Sequence, residues 1–542
     1  MRGEAGAYER LVASFRWSIP ARFNIALACC DQWAIRDPGR VALIRIGERG
    51  EAVATTFAAL KDRSDRLAQA LRRRGVARGD RVAILLPQSV DTVAGHFAAY
   101  KLGAIAVPLA ALFGSDALRY RLATAGARAI LTNADGAARI AGIREALPDL
   151  ETVLSVDGAG GGAEDMGAAV APENGSFTAE DTGPDDPALM IFTSGTTGPP
   201  KGALHGHRVL LGHLPGFVFT HAGFPAAGDR AWTPSDWAWA GGLLNLLLPS
   251  LYHGVPVVFG PFRPFDPEAA LALMAGAGVT RAFLPPTALK MMRSVERPRE
   301  RFALHLASIG SAGESLGRET YEWAEGGLGL PVNEFYGQTE GNYVLGSSAA
   351  LGVSRAGAIG KPIPGHHVAV IDDDGREAAP ETPGQIAIRR PDPTLFLGYW
   401  NDPEATAQKF LGDWMLTGDL AVRDSDGYVR SIGRNDDIIT SAGYRIGPAE
   451  VEDCLLAHPA VALAAAVGKP DRLRTEIVKA YVVLKPGIEA TDLLAAELRL
   501  FVRARLSAAE YPREIAFVES LPMTTTGKVI RRELRERAAR EG

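Results

Sequence analysis

Short, continuously apolar segments that end at proline and give way to helical patterns constrain this chain more than any other feature. Arg81-Val-Ala-Ile-Leu-Leu-Pro87 reads as a buried strand stopped by proline, and residues 91–102 then read as a helix. Ala104-Ile-Ala-Val-Pro108 is the next strand, and the order recurs at Ala129-Ile-Leu131 and Val279-Thr-Arg-Ala-Phe-Leu284. Strand–helix–strand order of this kind predicts an α/β class with parallel and mixed sheets flanked by helices. At 542 residues the chain is too long for one core, so two or more domains are expected. The boundary is placed at Asp436, giving a large domain over residues 1–435 and a small one over 436–542. Beyond Asp436 shorter elements alternate at 450–457, 461–468 and 477–484, before a long helix at 491–506. That pattern predicts a compact α+β unit of about a hundred residues. The Gly-rich segment 157–165 reads as a flexible excursion.

Within that frame one turn is built to meet phosphate. The apolar run Ala188-Leu-Met-Ile-Phe192 leads into Thr193-Ser-Gly-Thr-Thr-Gly-Pro-Pro-Lys201. Gly195 and Gly198 let the backbone approach an anion closely, the N–H groups of such a turn form a concave nest, and Lys201 adds a cation. The hydroxyls of Thr193, Ser194, Thr196 and Thr197 add further donors. This is not a Walker A loop, because Gly198 precedes Pro199 and Lys201 precedes Gly202. In isolation such a turn is more often a surface loop; its downstream companions reverse that reading.

Those companions follow in order: Asn333-Glu-Phe-Tyr-Gly-Gln-Thr-Glu340, Leu416-Thr-Gly-Asp419, Gly433-Arg-Asn-Asp-Asp-Ile-Ile-Thr-Ser-Ala-Gly-Tyr-Arg445 and Pro522-Met-Thr-Thr-Thr-Gly-Lys528. Together with the phosphate turn they resemble the core motifs of the adenylate-forming superfamily, which contains acyl-CoA synthetases, firefly luciferase and the adenylation domains of peptide synthetases. The resemblance runs from Val41 to Arg532, nearly the whole chain, and several long motifs in fixed order are far more specific than any one of them.

The resemblance implies that ATP, Mg²⁺ and a carboxylic acid meet in the large domain and that CoA is the acceptor. A carboxylate is a poor acylating agent; attack on the α-phosphate of ATP makes an acyl-adenylate with a good leaving group. The step requires positive charge on the transferring phosphate and alignment of two anions. By resemblance, Thr193, Ser194, Gly195, Thr196, Thr197, Gly198 and Lys201 hold the departing phosphates. Thr339 contacts the α-phosphate, and Glu340 holds Mg²⁺ as a hard oxygen ligand. Tyr336 stacks on adenine, flanked by Gly313, Glu314 and Ser315, with Glu334, Phe335, Gly337 and Gln338 completing that wall. Asp419 accepts the ribose hydroxyls. Arg434 reaches ribose and phosphate, and Arg445 the phosphates. Taken singly, each has a plainer competitor: Tyr336 as a core aromatic, Asp419 as a turn residue, Arg445 and Lys528 as surface cations.

The same resemblance implies motion. The small domain takes one orientation for adenylation and swings about Asp436 for thioester formation. Lys528 closes the first state by bridging carboxylate and phosphate. In the second, Ala442, Gly443 and Tyr444 line a tunnel for the pantetheine thiol. Lys528 is also a candidate target for a lysine acetyltransferase and deacetylase, since acetylation removes the needed charge.

For the acid, acetyl-CoA synthetases carry a tryptophan before the Gln-Thr-Glu triplet, where this chain has Gly337. Medium-chain synthetases show the nearest resemblance, so the expected acid is larger than acetate, medium-chain or branched. Trp239, Ala240, Gly241 and Gly337 are expected to line its pocket. An aryl-CoA ligase and an adenylating enzyme that loads a separate carrier protein are the alternatives; no Gly-x-Ser carrier segment follows Lys528.

Composition narrows the partners. A net charge of −5 with 22% charged residues argues against an extended nucleic-acid surface. Three cysteines make no disulfide framework or C-x-x-C zinc site, and a reducing cytoplasm is the expected compartment. No secretory h-region opens the sequence. The most apolar stretch, residues 240–260, is broken by Asn245, Pro249, His253 and Pro256, and reads as a buried helix followed by the strand 255–259 rather than a membrane span. A homo-oligomer is compatible with the sequence. His205 and His207 are expected to be interior or substrate-adjacent, and His366-His367 to lie at the surface.

Overall fold

Proline-stopped apolar runs become the middle of a parallel sheet. The computed structural model describes residues 6–193, 199–261, 264–434, 437–441, 444–472, 474–506, 510–524 and 528–541. Among them, eight strands form a first sheet in the order Gly398–Tyr399, Lys201–Gly206, Pro187–Thr193, Ile105–Pro108, Arg81–Leu85, Ala129–Thr132, Thr152–Ser155 and Glu164–Asp165. Its centre is parallel, with Val82 opposite both Ala106 and Ala129. All four residues of Ile105–Pro108 and of Ala129–Thr132 are buried, which is why these segments read as apolar without alternation. Helix Val90–Lys101 is buried along nearly its whole length, and Ser89 caps it by accepting the Thr92 amide at 3.1 Å.

A second, nine-stranded sheet runs from Lys361–Pro362 through Gly341–Gly346, Val332–Gln338, Ser308–Ser311, Arg281–Phe283, Ala231–Trp232, Val257–Phe259 and Val41–Ile46 to Ala52–Thr56. Its interior is again parallel, but Val332–Gln338 and Gly341–Gly346 form an antiparallel hairpin whose turn holds Thr339 and Glu340. A third, antiparallel sheet is built on Pro383–Arg389 and Trp414–Arg423, with Val429–Arg434 pairing so that Asp419 stands opposite Arg434.

Sheet membership changes between Arg434 and Ile439. The later strands Ile439–Ser441, Tyr444–Ile446, Val461–Asp471, Thr475–Leu484 and Glu514–Phe517 form their own sheet, covered by helices Pro448–Leu456, Asp492–Arg505 and Arg531–Arg540. Its core is separate, built on Val451, Leu455, Val478, Val482, Leu498 and Val502. Asp436 lies outside the described residues.

Two local expectations are corrected. Segment 157–165 is a formed turn rather than an open excursion: Gly160 and Ala163 bridge, Gly158, Gly161 and Gly162 take positive φ, and Glu164–Asp165 adds to the sheet edge. His366 is buried, not superficial. Its Nδ1 lies 2.7 Å from Asp392 Oδ2 and Trp17 covers its ring, while His367 stays exposed. Segment 240–260 behaves as expected, with helical structure over Ala240–Tyr252 and then the strand Val257–Phe259. Among the described residues no helix is long and apolar enough to cross a membrane.

Candidate active site

Residues of the second sheet and its connecting loops are met by the third sheet, the first sheet and the small domain. On the third sheet, Asp419 carries a 14% exposed side chain and accepts hydrogen bonds from two residues of the neighbouring hairpin strand. The Tyr336 hydroxyl donates to Asp419 Oδ2, and Gln338 Nε2 donates to the same oxygen at 2.6 Å. Gln338 also donates to the Thr417 carbonyl at 2.6 Å, and the Arg434 guanidinium stands 3.6 Å from Asp419 Oδ1. Burial and the Asp419 carboxylate hold the Tyr336 phenol far above its usual range, so it stays a neutral donor. The expected adenine-side aromatic and ribose-side carboxylate are therefore joined, with Lys409 supporting Gln338 Oε1 from behind at 3.4 Å.

The turn after Gln338 places Glu340 7% exposed, with Tyr399 donating its hydroxyl to Glu340 Oε1. His205 is 1% exposed beside Glu340 and the Thr339 backbone. Burial lowers its pKa to about 4 against the opposing pull of Glu340, leaving a neutral imidazole. His207 is interior too, accepting the Ile25 amide at 3.2 Å. Lys201 opens the strand paired with Thr193, and its ammonium lies 3.7 Å from Asp402.

Gly313 takes φ +109°, and a Cβ there would sit 3.5 Å from Lys528 Cε. Lys528 thus extends over the Gly313–Ser315 loop. Although the residue keeps solvent contact, the enclosing protein lowers its ammonium pKa, while Glu314 and Asp419 oppose that shift and Arg434 adds to it. The Glu314 carboxylate itself is held by the Thr287 amide at 2.8 Å. Beneath the loop, Glu334 is 8% exposed and accepts the Leu316 amide at 3.2 Å; burial raises its carboxyl to about 7. Glu334 accordingly supports the loop from inside.

Gly337 calls for a correction. A Cβ there would fall 2.6 Å from the Tyr343 amide nitrogen and closer still to Asn342. The absent side chain does not open a volume; the facing strand's backbone fills it. Trp239 and Ala240 are half-buried, Trp239 edge-on to Phe113 at 5.8 Å, and a Cβ on Gly241 would lie 3.0 Å from the Phe283 ring. Phe283, Phe335 and Tyr343 continue that wall as successive ring contacts at 5.6 and 3.9 Å.

Ser194, Gly195, Thr196, Thr197, Gly198, Asp436, Ala442 and Gly443 lie outside the described residues. Tyr444 and Arg445 are placed by backbone, on the strand paired with Ile439–Ser441. Sequence reasoning missed Tyr399, Asp402, Thr287 and Lys409 as partners of the site. Asp402-Pro403 is a readable helix start, and Asp402 does cap Pro403–Gln408, but nothing local marks it as a lysine partner.

Lys528 over Gly313, and Asp419 held by Tyr336 and Gln338, bring residues of motifs far apart in sequence together on a two-domain frame of the adenylate-forming kind. Family models agree: one described as AMP-binding enzyme matches residues 30–400, and one described as AMP-binding enzyme C-terminal domain matches residues 450–528. The chain belongs to the AMP-binding enzyme family. An uncharacterized acyl–CoA ligase, YtcI of Bacillus subtilis, is 33% identical over 503 residues, covering 92% of this chain and 93% of that protein. A mitochondrial acyl-coenzyme A synthetase of Homo sapiens is 33% identical over 539 residues, covering 96% and 91%. Among solved structures, the anthranilate CoA ligase AuaEII with anthranoyl-AMP superposes with TM-score 0.89 at 27% identity, covering 96% of this chain and 98% of that one. This protein is an ATP-dependent, AMP-forming acyl-CoA ligase.

Proposed function

We propose that the acid is larger than acetate, a medium-chain or branched acid, and that Lys528, Glu340 and Asp419 divide the work of adenylation. The observation that carries the division is Lys528 lying over Gly313 with Glu314, Asp419 and Arg434 as its electrostatic neighbours. An ammonium so placed suits a bridge between an incoming carboxylate and the α-phosphate. Asp419, fixed by Tyr336 and Gln338 on one oxygen, presents the other, 3.6 Å from the Arg434 guanidinium, to the ribose side. Thr339 reaches the α-phosphate, and Lys201 with the turn from Thr193 takes the departing phosphates. Glu340 fits Mg²⁺: a buried carboxylate is a hard oxygen ligand, and Mg²⁺ commonly uses one or two carboxylates plus phosphate and water. When bound, the ion would neutralise phosphate charge. Arg434 and Arg445 complete the nucleotide's cationic side.

The small domain begins at Asp436 and rotates there, withdrawing Lys528 so that Ala442, Gly443 and Tyr444 line the pantetheine passage. Lys528 is the residue a protein acetyltransferase would silence, and the cytoplasm is the compartment. Trp239, Ala240 and Gly241 line the acyl pocket. An aromatic acid is the second reading, favoured by the ring wall of Phe113, Trp239 and Phe283 and by likeness to an anthranilate CoA ligase. The test is AMP formation with ATP across straight, branched and aromatic acids, with and without CoA. Preference for acetate over every longer acid overturns the size reading.

A further inference from the structure

Glu340, in the hairpin turn of the second sheet, and Lys201, at the start of a first-sheet strand, carry opposite charges, yet no ion pair joins them among the described residues. Tyr399 stands between. Its hydroxyl donates to Glu340 Oε1, and Lys201 Nζ lies 5.3 Å from its ring centroid. Lys201 also lies 3.7 Å from Asp402 Oδ2, and the Asp402 amide donates to the Tyr399 carbonyl at 3.2 Å. A four-carbon lysine stem and a glutamate are both flexible. Left alone they would neutralise each other rather than face a nucleotide.

The tyrosine is fixed from every side. Tyr399 pairs opposite Ala203, two residues after Lys201, and the Trp400 amide donates to the Gly202 carbonyl at 2.7 Å. The Phe396 amide donates to the Glu340 carbonyl at 2.8 Å, and the Phe396 ring meets Tyr399 edge-on at 5.0 Å. Its own amide donates to Thr406 Oγ1 at 2.8 Å. Segment 396–400 is therefore tied to the Glu340 backbone at one end and to Gly202, the neighbour of Lys201, at the other.

We propose that Tyr399 is a positioning residue for adenylation: its hydroxyl fixes the Glu340 carboxylate toward the metal side, and its ring, with Asp402, holds Lys201 apart toward the departing phosphates. This rests on reading Glu340 as the Mg²⁺ carboxylate. Partners that orient a metal-binding side chain typically contribute ten- to a hundredfold in metal affinity.

The test compares Tyr399→Phe, Asp402→Asn and Glu340→Gln with the parent full-length protein. Two readouts are titrated with Mg²⁺: pyrophosphate exchange, and the ATP-induced rise in melting temperature, which needs no turnover. Tyr399→Phe keeps the ring and is expected to raise the Mg²⁺ midpoint about tenfold in both, with an unchanged ligand-free melting temperature. Asp402→Asn keeps the phenol and the helix cap; it is expected to raise the KM for pyrophosphate and leave the Mg²⁺ midpoint in place. A parental Mg²⁺ midpoint in Tyr399→Phe, beside a displaced one in Glu340→Gln, overturns the role of Tyr399 alone. If Glu340→Gln also keeps the parental midpoint, the metal reading of Glu340 fails and the inference with it.

Discussion

Asp453, in the small domain, accepts the backbone N–H of Arg318, the first residue of a ten-residue helix in the large domain, at 3.0 Å. That helix starts after Gly317, which adopts φ 77° and offers no side chain as a cap. A Cβ at Gly317 would collide with the Asp453 carboxylate. One domain thus supplies the cap for a helix of the other, and does so in the arrangement that brings Lys528 over Gly313. Such caps contribute about 1 kcal/mol, or roughly fivefold in an equilibrium. Asp453→Ala is expected to lower pyrophosphate exchange about fivefold while sparing thioester formation from preformed acyl-adenylate. Asp453→Asn, which keeps an acceptor oxygen, should stay near the parent. Equal losses in both half-reactions for the alanine variant would count against a conformation-specific latch.

Lys528→Ala separates the two half-reactions more sharply. If the ammonium acts only while it lies over Gly313, adenylation should fall by several orders of magnitude, with much of the thioesterification of supplied acyl-adenylate retained. The check is single-turnover kinetics of each half-reaction. Parallel loss of both would assign Lys528 a structural part instead.

How much of this was legible in the chain depended on whether the cause was local. Arg81–Leu85 and Ile105–Pro108 could be read because burial on both faces writes itself as an apolar run stopped by proline. The helix Asp492–Arg505 fell within one residue of its predicted ends, Thr491 supplying the cap. The strand Val461–Asp471 runs three residues past the expected Gly468, because Lys469, Pro470 and Asp471 pair with Ile477, Glu476 and Thr475 of the returning strand and carry the hairpin on to its turn. His366 looked superficial in a Pro/Gly turn, yet Asp392 and Trp17, both remote in sequence, bury it. The motif order revealed Asp419 and Glu340, but not Tyr399, whose role arises only where two strands lie side by side. Gly337 was misread for the same reason: a missing side chain looks like free space until the neighbouring backbone is known.

That correction changes what a substitution at Gly337 should do. With the Tyr343 amide 2.6 Å from any Cβ, Gly337→Trp cannot act as a plug for the acyl pocket. It must push the hairpin that carries Thr339 and Glu340. Activity should therefore fall by a similar factor for every acid, and even Gly337→Ala should lose stability, by about 1–3 kcal/mol for an overpacked site. kcat/KM for acids of increasing chain length, together with benzoate, reads the pattern; melting temperature reads the strain. Selective retention of acetate or propionate would restore the pocket interpretation.

Glu334 makes stability depend on pH. Its carboxyl, 8% exposed beneath the Gly313–Ser315 loop, is raised from 4.5 to about 7, chiefly by burial and against the hydrogen bond from the Leu316 amide. The folded protein keeps this proton to a higher pH than the unfolded chain, so between those two values it binds more protons than the unfolded chain does. Stability from this group is fully present below 4.5 and falls as pH rises through about 7. The whole window is worth about 3 kcal/mol. Glu334→Gln, which keeps an oxygen for the Leu316 amide and cannot ionise, should be less sensitive than the parent to a rise from pH 5 to pH 8. Burial also raises Asp236, to about 6, so the parent alone cannot assign the effect. The difference between parent and variant melting temperatures at the two pH values isolates Glu334. Identical pH slopes would mean that Glu334 ionises as freely in the folded protein as in the unfolded chain.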